Sequence, residues 1–149
     1  MSSPNFTGAD KTLNQIEYNI QVAAVAHIRT AFPDLLFTHV PNRGGSAADG
    51  FFKKQLGVMP GVADLIFWWE GGFGAIELKT PGGIWKPAQR KFEWMFSARG
   101  GKYAVCKSVK EVHATLKSWG LKSVHEAVKE PDLRSEAQKK QDMFDYYKP

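Results

Sequence analysis

Asp64, Glu77 and Lys79 are the residues of this 149-residue chain whose types and spacing could do chemistry. Asp64 stands near the start of an otherwise apolar run, Val62 to Trp69. A lone carboxylate in such a strand is costly unless it is paired or binds a metal. The plainer reading is a surface position at the strand's entrance, capping a backbone N–H. Glu77 and Lys79 sit at i and i+2, a spacing that puts both on one face of a strand. Glu-x-Lys alone can be a surface ion pair of little energetic weight. It occurs once in the chain, and the turn Glu70-Gly71-Gly72 lies between it and Asp64. Asp64 is seven residues before the turn centre and Glu77 six after it. An antiparallel hairpin therefore brings the two carboxylates and the ammonium to one sheet end. Carboxylates at close range repel unless a cation sits between them. Hard oxygen ligands favour Mg²⁺ or Mn²⁺ over zinc, and the Leu78 carbonyl could add one more oxygen. Such a set suits phosphodiester hydrolysis. The metal polarises a phosphoryl oxygen and acidifies a bound water. Lys79 orients that water or neutralises charge in the transition state.

The elements that position these residues are legible from periodicity. Ile16, Ile20, Ala23, Ala24, His27 and Ile28 form one apolar helical face, capped by Thr12 or Asn14 and followed by Pro33. Leu35 to Val40 predicts a strand, and Ser46 to Leu56 a short helix ended by Gly57. Val62 to Trp69 is apolar on both faces apart from Asp64, as befits a central strand covered by helices. Phe73 to Lys79 is its hairpin partner. Pro87 opens a helix to about Arg99, with Phe92, Met95 and Phe96 inward and Gly100-Gly101 at its end. Lys102 to Cys106 is a strand. Ser108 caps a last helix through Val109, Val112, Leu116 and Trp119. This order predicts an α/β sandwich with a mixed sheet flanked by helices. Residues 1–120 form the predicted domain. Residues 121–149 are polar and fit either a docked helix or a loose tail.

Composition narrows the classes. The chain is 43% hydrophobic and 23% charged, as in a globular protein. No apolar run approaches the roughly 20 residues needed to span a bilayer, and no export signal is visible at the N-terminus. The single Cys106 cannot form an internal disulfide, which favours a reducing, cytoplasmic setting. His27, His39, His113 and His125 lie far apart in sequence without zinc spacing, and are expected to stay apart in the fold. Net charge is +5, but unevenly spread. Residues 1–78 hold five Lys/Arg against seven Asp/Glu; residues 79–117 hold nine against two. A basic segment inside one domain fits a polyanionic partner such as nucleic acid, or a solvated face with none.

The run Gly61-Val62-Ala63-Asp64-Leu65-Ile66, then Ala75-Ile76-Glu77-Leu78-Lys79, then Gln89, resembles the PD-(D/E)XK nucleases, and among them the VRR-NUC branch. These are small nucleases common in phages and also found in DNA-repair enzymes. The resemblance covers about residues 14–117. It implies a restriction-endonuclease-like core, metal binding by Asp64 and Glu77, and catalytic assistance by Lys79. It further implies that Gln89 on the next helix, and Glu17 on the first, complete the site. Ala63 departs from the pattern, since a Pro usually precedes the Asp. Stand-alone members of this branch look like homodimers that cut branched DNA such as four-way junctions. The resemblance implies the same here, in the cytoplasm of a host if the chain is phage-encoded.

Gln89 lies in the first turn of its helix, where backbone N–H groups and the dipole attract phosphate. Lys86, Arg90 and Lys91 frame the same helix start. With Lys53, Lys54, Asn42 and Arg43 they are the candidate DNA-backbone contacts. Trp68 and Trp94 are expected in the core. Trp85, in a Gly-flanked loop beside the predicted site, is the candidate DNA wedge or dimer contact. The sequence predicts a Mg²⁺-dependent (or Mn²⁺-dependent) endonuclease on DNA, without an organic cofactor or membrane. The competing reading is a nuclease-like module that grips nucleic acid and no longer cuts.

Overall fold

A computed structural model describes residues 8–41, 46–146 and 148. The element order is α1 (Gly8–Ala31), β1 (Leu36–His39), α2 (Ala47–Gln55), β2 (Leu65–Trp69), β3 (Gly72–Leu78), α3 (Pro87–Ser97), β4 (Lys102–Cys106), α4 (Val109–Ser118) and α5 (Glu136–Tyr146). The strands form one sheet in the order β1-β2-β3-β4. β1–β2 and β2–β3 pair antiparallel and β3–β4 parallel, so the sheet is mixed and β2 and β3 are central.

Alternation along β2 and β3 feeds two apolar layers. Leu65, Phe67, Ile76 and Leu78 pack on one face against Ile20, Ala24 and Ile28 of α1 and Val112 and Leu116 of α4. Ala63, Ala75 and Ile66 meet Phe92 and Phe96 of α3, with Tyr103 of β4, on the other. The first layer closes over Gly74, where a Cβ would come within 2.5 Å of the Trp119 ring. Only glycine lets the indole lie that close to the strand.

Two boundaries differ by several residues from the sequence reading, each for a local reason. Helix α1 already runs at Gly8, so Thr12 and Asn14 lie inside it and not at its start. Ala9, Lys11, Leu13 and Gln15 are good helix formers and carry it past the first core residue, Ile16. Strand β2 begins at Leu65, three residues late, because the Val62 N–H bonds back to the Met59 carbonyl in the preceding turn. Asp64 thus stands one residue outside the strand. The tryptophans expected in the core are not there. Trp94 is 69% exposed on the outer side of α3, and Trp68 is 43% exposed.

Among the described C-terminal residues, 121–135 pack on the rest of the chain and 136–146 form helix α5. Beyond Gly120 the chain runs without regular structure across α1 and α4 before α5 begins. Leu121, Val128 and Leu133 pack on the main core, and the Val124 N–H bonds to the Ala31 carbonyl at 2.8 Å. The Glu130 carboxylate accepts from the Val109 and Lys110 N–H groups at 2.9 and 2.7 Å. It thereby caps the N-terminus of α4, where a negative charge is favoured. Helix α5 buries no residue.

The histidines also depart from expectation. His27 of α1 and His113 of α4 are joined by a 2.8 Å hydrogen bond between Nε2 and Nδ1. His113 Nε2 lies 2.9 Å from Glu126, and the His125 ring meets His27 edge-on with centroids 5.5 Å apart. Residues about a hundred positions apart converge because the C-terminal segment returns over the α1–α4 pair, which no local spacing encodes.

Candidate active site

The hairpin register sets the geometry. Leu65 pairs with Ile76, so Asp64 lies opposite Glu77 one step beyond the last paired residues. The Asp64 carboxylate accepts from the Leu78 N–H at 2.8 Å through Oδ2. This bond ties the residue before β2 to the end of β3, as the count across the turn requires. Its backbone carbonyl accepts from the Val40 N–H at 2.9 Å, and His39 Nδ1 lies 2.8 Å from the same oxygen.

Glu77 and Lys79 share a face, with Lys79 Nζ 3.2 Å from Glu77 Oε1. Both are buried, at 3% and 6% exposure. The Lys79 N–H extends the β3–β4 ladder by bonding to the Cys106 carbonyl at 3.0 Å, which fixes the backbone beneath the ammonium. Gln89 Nε2 donates to Glu77 Oε1. Its Oε1 accepts from the Lys86 N–H at 2.9 Å, as a third-position residue does in a capping box. One side chain therefore both caps α3 and holds Glu77. Helix α3 is seated by Gly61. At φ +74°, with a Cβ position only 2.2 Å from the Ala88 carbonyl oxygen, that turn excludes any side chain.

The electrostatics follow from crowding. Burial pushes the Glu77 carboxyl up to about 7 from a usual 4.5, and the nearby Asp64 charge pushes in the same direction. Lys79 pulls it back, and Glu17 on α1 adds a smaller upward push. Two carboxylates thus face one sheet end, with an ammonium that offsets them only in part.

The remaining candidates are placed around this centre. Lys86 precedes α3, and Arg90 and Lys91 lie exposed on its first turns. The Arg90 guanidinium is 5.3 Å above the Trp85 ring. Trp85 does not stand free: it is half-buried and stacks on Tyr103 with centroids 6.1 Å apart. Its indole N–H and the Tyr103 hydroxyl are both buried and neither completes a well-formed hydrogen bond within the described residues. Burial and the Glu77 charge raise the Tyr103 pKa, so the phenol stays protonated. Lys53 and Lys54 sit in the last turn of α2. Asn42 and Arg43 lie outside the described residues. Sequence reasoning missed Tyr103 and His39. Pairing Leu35–Val40 with Val62–Trp69 as a second hairpin would have put His39 beside Asp64.

A four-stranded mixed sheet between helices, with paired carboxylates and a lysine at one end, defines the restriction-endonuclease-like fold of the PD-(D/E)XK nucleases. The model of the VRR-NUC domain matches residues 20–110, well over half of the chain. The chain belongs to the VRR-NUC family, and its domain is that of a nuclease. The match includes Asp64, Glu77, Lys79 and Gln89, and begins after Glu17. A solved structure described as a VRR_NUC domain protein is similar in fold, with a TM-score of 0.53 at 21% identity. The alignment covers 72% of this chain and 87% of that one. Among curated proteins none matches the chain. No helix among the described residues is long and apolar enough to cross a membrane.

Proposed function

We propose that this protein is a Mg²⁺-dependent endonuclease that hydrolyses DNA phosphodiester bonds, with Asp64, Glu77 and the Leu78 carbonyl as the metal ligands. The observation that carries this reading is the carboxylate pair itself. Glu77 is buried opposite Asp64 and pushed up to about 7, so the site is short of positive charge even with Lys79 beside it. Among the described residues no three of His, Cys, Asp or Glu are arranged to hold a metal. Two carboxylates and a carbonyl make a sparse oxygen set. That suits Mg²⁺, or Mn²⁺ in its place, which keeps several waters and shares its shell with substrate phosphate. A cation bound there would polarise a phosphoryl oxygen and acidify a water.

The chain's own residues do the rest. Lys79 orients the attacking water and neutralises charge building on the phosphate. Gln89 keeps Glu77 in place and lies where the start of α3 attracts phosphate. Glu17 adds negative charge toward the same end. Lys86, Arg90, Lys91, Lys53 and Lys54, with Asn42 and Arg43, supply backbone contacts, and Trp85 meets an unpaired base. Branched DNA such as a four-way junction is the proposed substrate. Two symmetric cuts call for a homodimer, since one domain offers one site.

The test is cleavage of labelled four-way junction, flap, duplex and single-stranded DNA in Mg²⁺, Mn²⁺ or EDTA. Metal-dependent cutting with preference for the junction is expected. Tight binding without cutting under any condition would overturn the enzymatic reading in favour of an inert binding module.

A further inference from the structure

Asp64 is held at three points, and two of them fall on its backbone carbonyl. The Val40 N–H donates to that oxygen at 2.9 Å, and His39 Nδ1 approaches it at 2.8 Å. A carbonyl can only accept, so Nδ1 carries the proton. Successive residues at the end of β1 thus supply two donors to one oxygen. The third hold is the Leu78 N–H on Oδ2, at 2.8 Å.

The placement matters because of what Asp64 faces. Its charge and that of Glu77 repel, which drives Asp64 away from the sheet end. It also stands one residue beyond β2, where the β1–β2 ladder stops and β1 is an edge strand. A single rung at such an end frays readily. His39 is exposed, so its ring is not fixed by core packing. The bond to Asp64 is what orients it.

We infer that His39 is a positioning residue for the site: its Nδ1–H locks the Asp64 carbonyl and so keeps the Asp64 carboxylate opposite Glu77. This rests on the reading of Asp64 as a metal ligand given above. Partners that orient metal ligands typically change metal affinity or activity by about ten- to a hundredfold when removed.

The test compares wild type with His39→Ala, His39→Asn and His39→Gln. The Asn amide nitrogen occupies the place of Nδ1, and the Gln amide nitrogen that of Nε2. Mn²⁺ affinity is read by calorimetry, kcat and KM on junction DNA by cleavage, and Tm in EDTA. His39→Ala is expected to lose about tenfold or more in Mn²⁺ affinity and in kcat, with KM for DNA and Tm close to wild type. His39→Asn is expected to recover most of both losses, and His39→Gln little. Wild-type Mn²⁺ affinity and kcat in His39→Ala would overturn the inference. So would equal behaviour of the Asn and Gln variants, a change confined to KM, or a loss explained by a lowered Tm. Wild-type protein that binds no Mn²⁺ would instead overturn the metal reading itself, and the role of His39 with it.

Discussion

Glu77, a proposed metal ligand, is unfavourable for stability where it stands when it is charged. An unfolded carboxyl titrates near 4.5, while burial and Asp64 raise the folded value to about 7. The folded state therefore binds the proton more tightly. The stability this contributes is fully present below about pH 4.5 and is lost as pH rises through 7. A shift of that size corresponds to about 3 kcal/mol in metal-free protein. Glu77→Gln removes the charge and keeps the shape. In EDTA at pH 8 it is expected to raise Tm by roughly 6–12 °C, at about 2–4 °C per kcal/mol for a chain of this size. The gain should shrink to a small part of that at pH 5, where Glu77 is already protonated when folded. Calorimetry at the two pH values checks this; a Tm at pH 8 equal to or below wild type would contradict it. The triad of Asp64, Glu77 and Lys79 was legible in the sequence because a hairpin count and a period of two suffice to bring it together. His39 was not, because its contact is with the backbone carbonyl of Asp64 and its own residue type says nothing of that.

Helix α3 owes its place to two small features. Pro87 and the Gln89 cap start it, and Gly61 lets the turn before Asp64 touch its first residues. Gly61→Ala is expected to cost at least about 1–2 kcal/mol from the positive φ alone, before the clash with the Ala88 carbonyl is added. Because the same turn leads into Asp64 and the same helix carries Gln89, cleavage should fall with stability. Chemical denaturation and a cleavage assay on one preparation check both; unchanged stability would contradict the packing described. The sequence signalled α3, α4 and the two central strands, whose Pro, Gly and Ser boundaries are local. It misplaced Trp68 and Trp94, because their burial depends on which neighbour covers the sheet and not on their own strand or helix. The late start of β2 has a different, local cause, since the Met59–Val62 turn bond competes with the ladder.

At the scale of the whole molecule, the segment after Gly120 packs over α1 and α4, and polar composition gave no sign of it. Its apolar anchors, Leu121, Val128 and Leu133, are too widely spaced for a helical or strand pattern. Burial, His113 and His125 lower the pKa of His27, with Glu130 opposing. The unfolded chain then binds the proton more readily, so this contribution to stability is present above about pH 6.5 and lost as pH falls below it. The protection factor of the Val124 amide is expected to drop as pH falls from 7.5 to 5.5, and His27→Gln should flatten that dependence. An identical drop in the variant would remove His27 from the account. The fold brings Asp64 and Glu77 to one sheet end, and the proposal that this pair holds the catalytic metal has a direct measurement. Junction cleavage at saturating Mg²⁺ is compared for wild type, Asp64→Asn and Glu77→Gln, with DNA binding followed in the same samples. Both variants are expected to bind DNA as wild type does and to cut about a hundred- to a thousandfold more slowly, the scale of removing a central electrostatic group. Wild-type cutting rates in either variant would contradict the proposal.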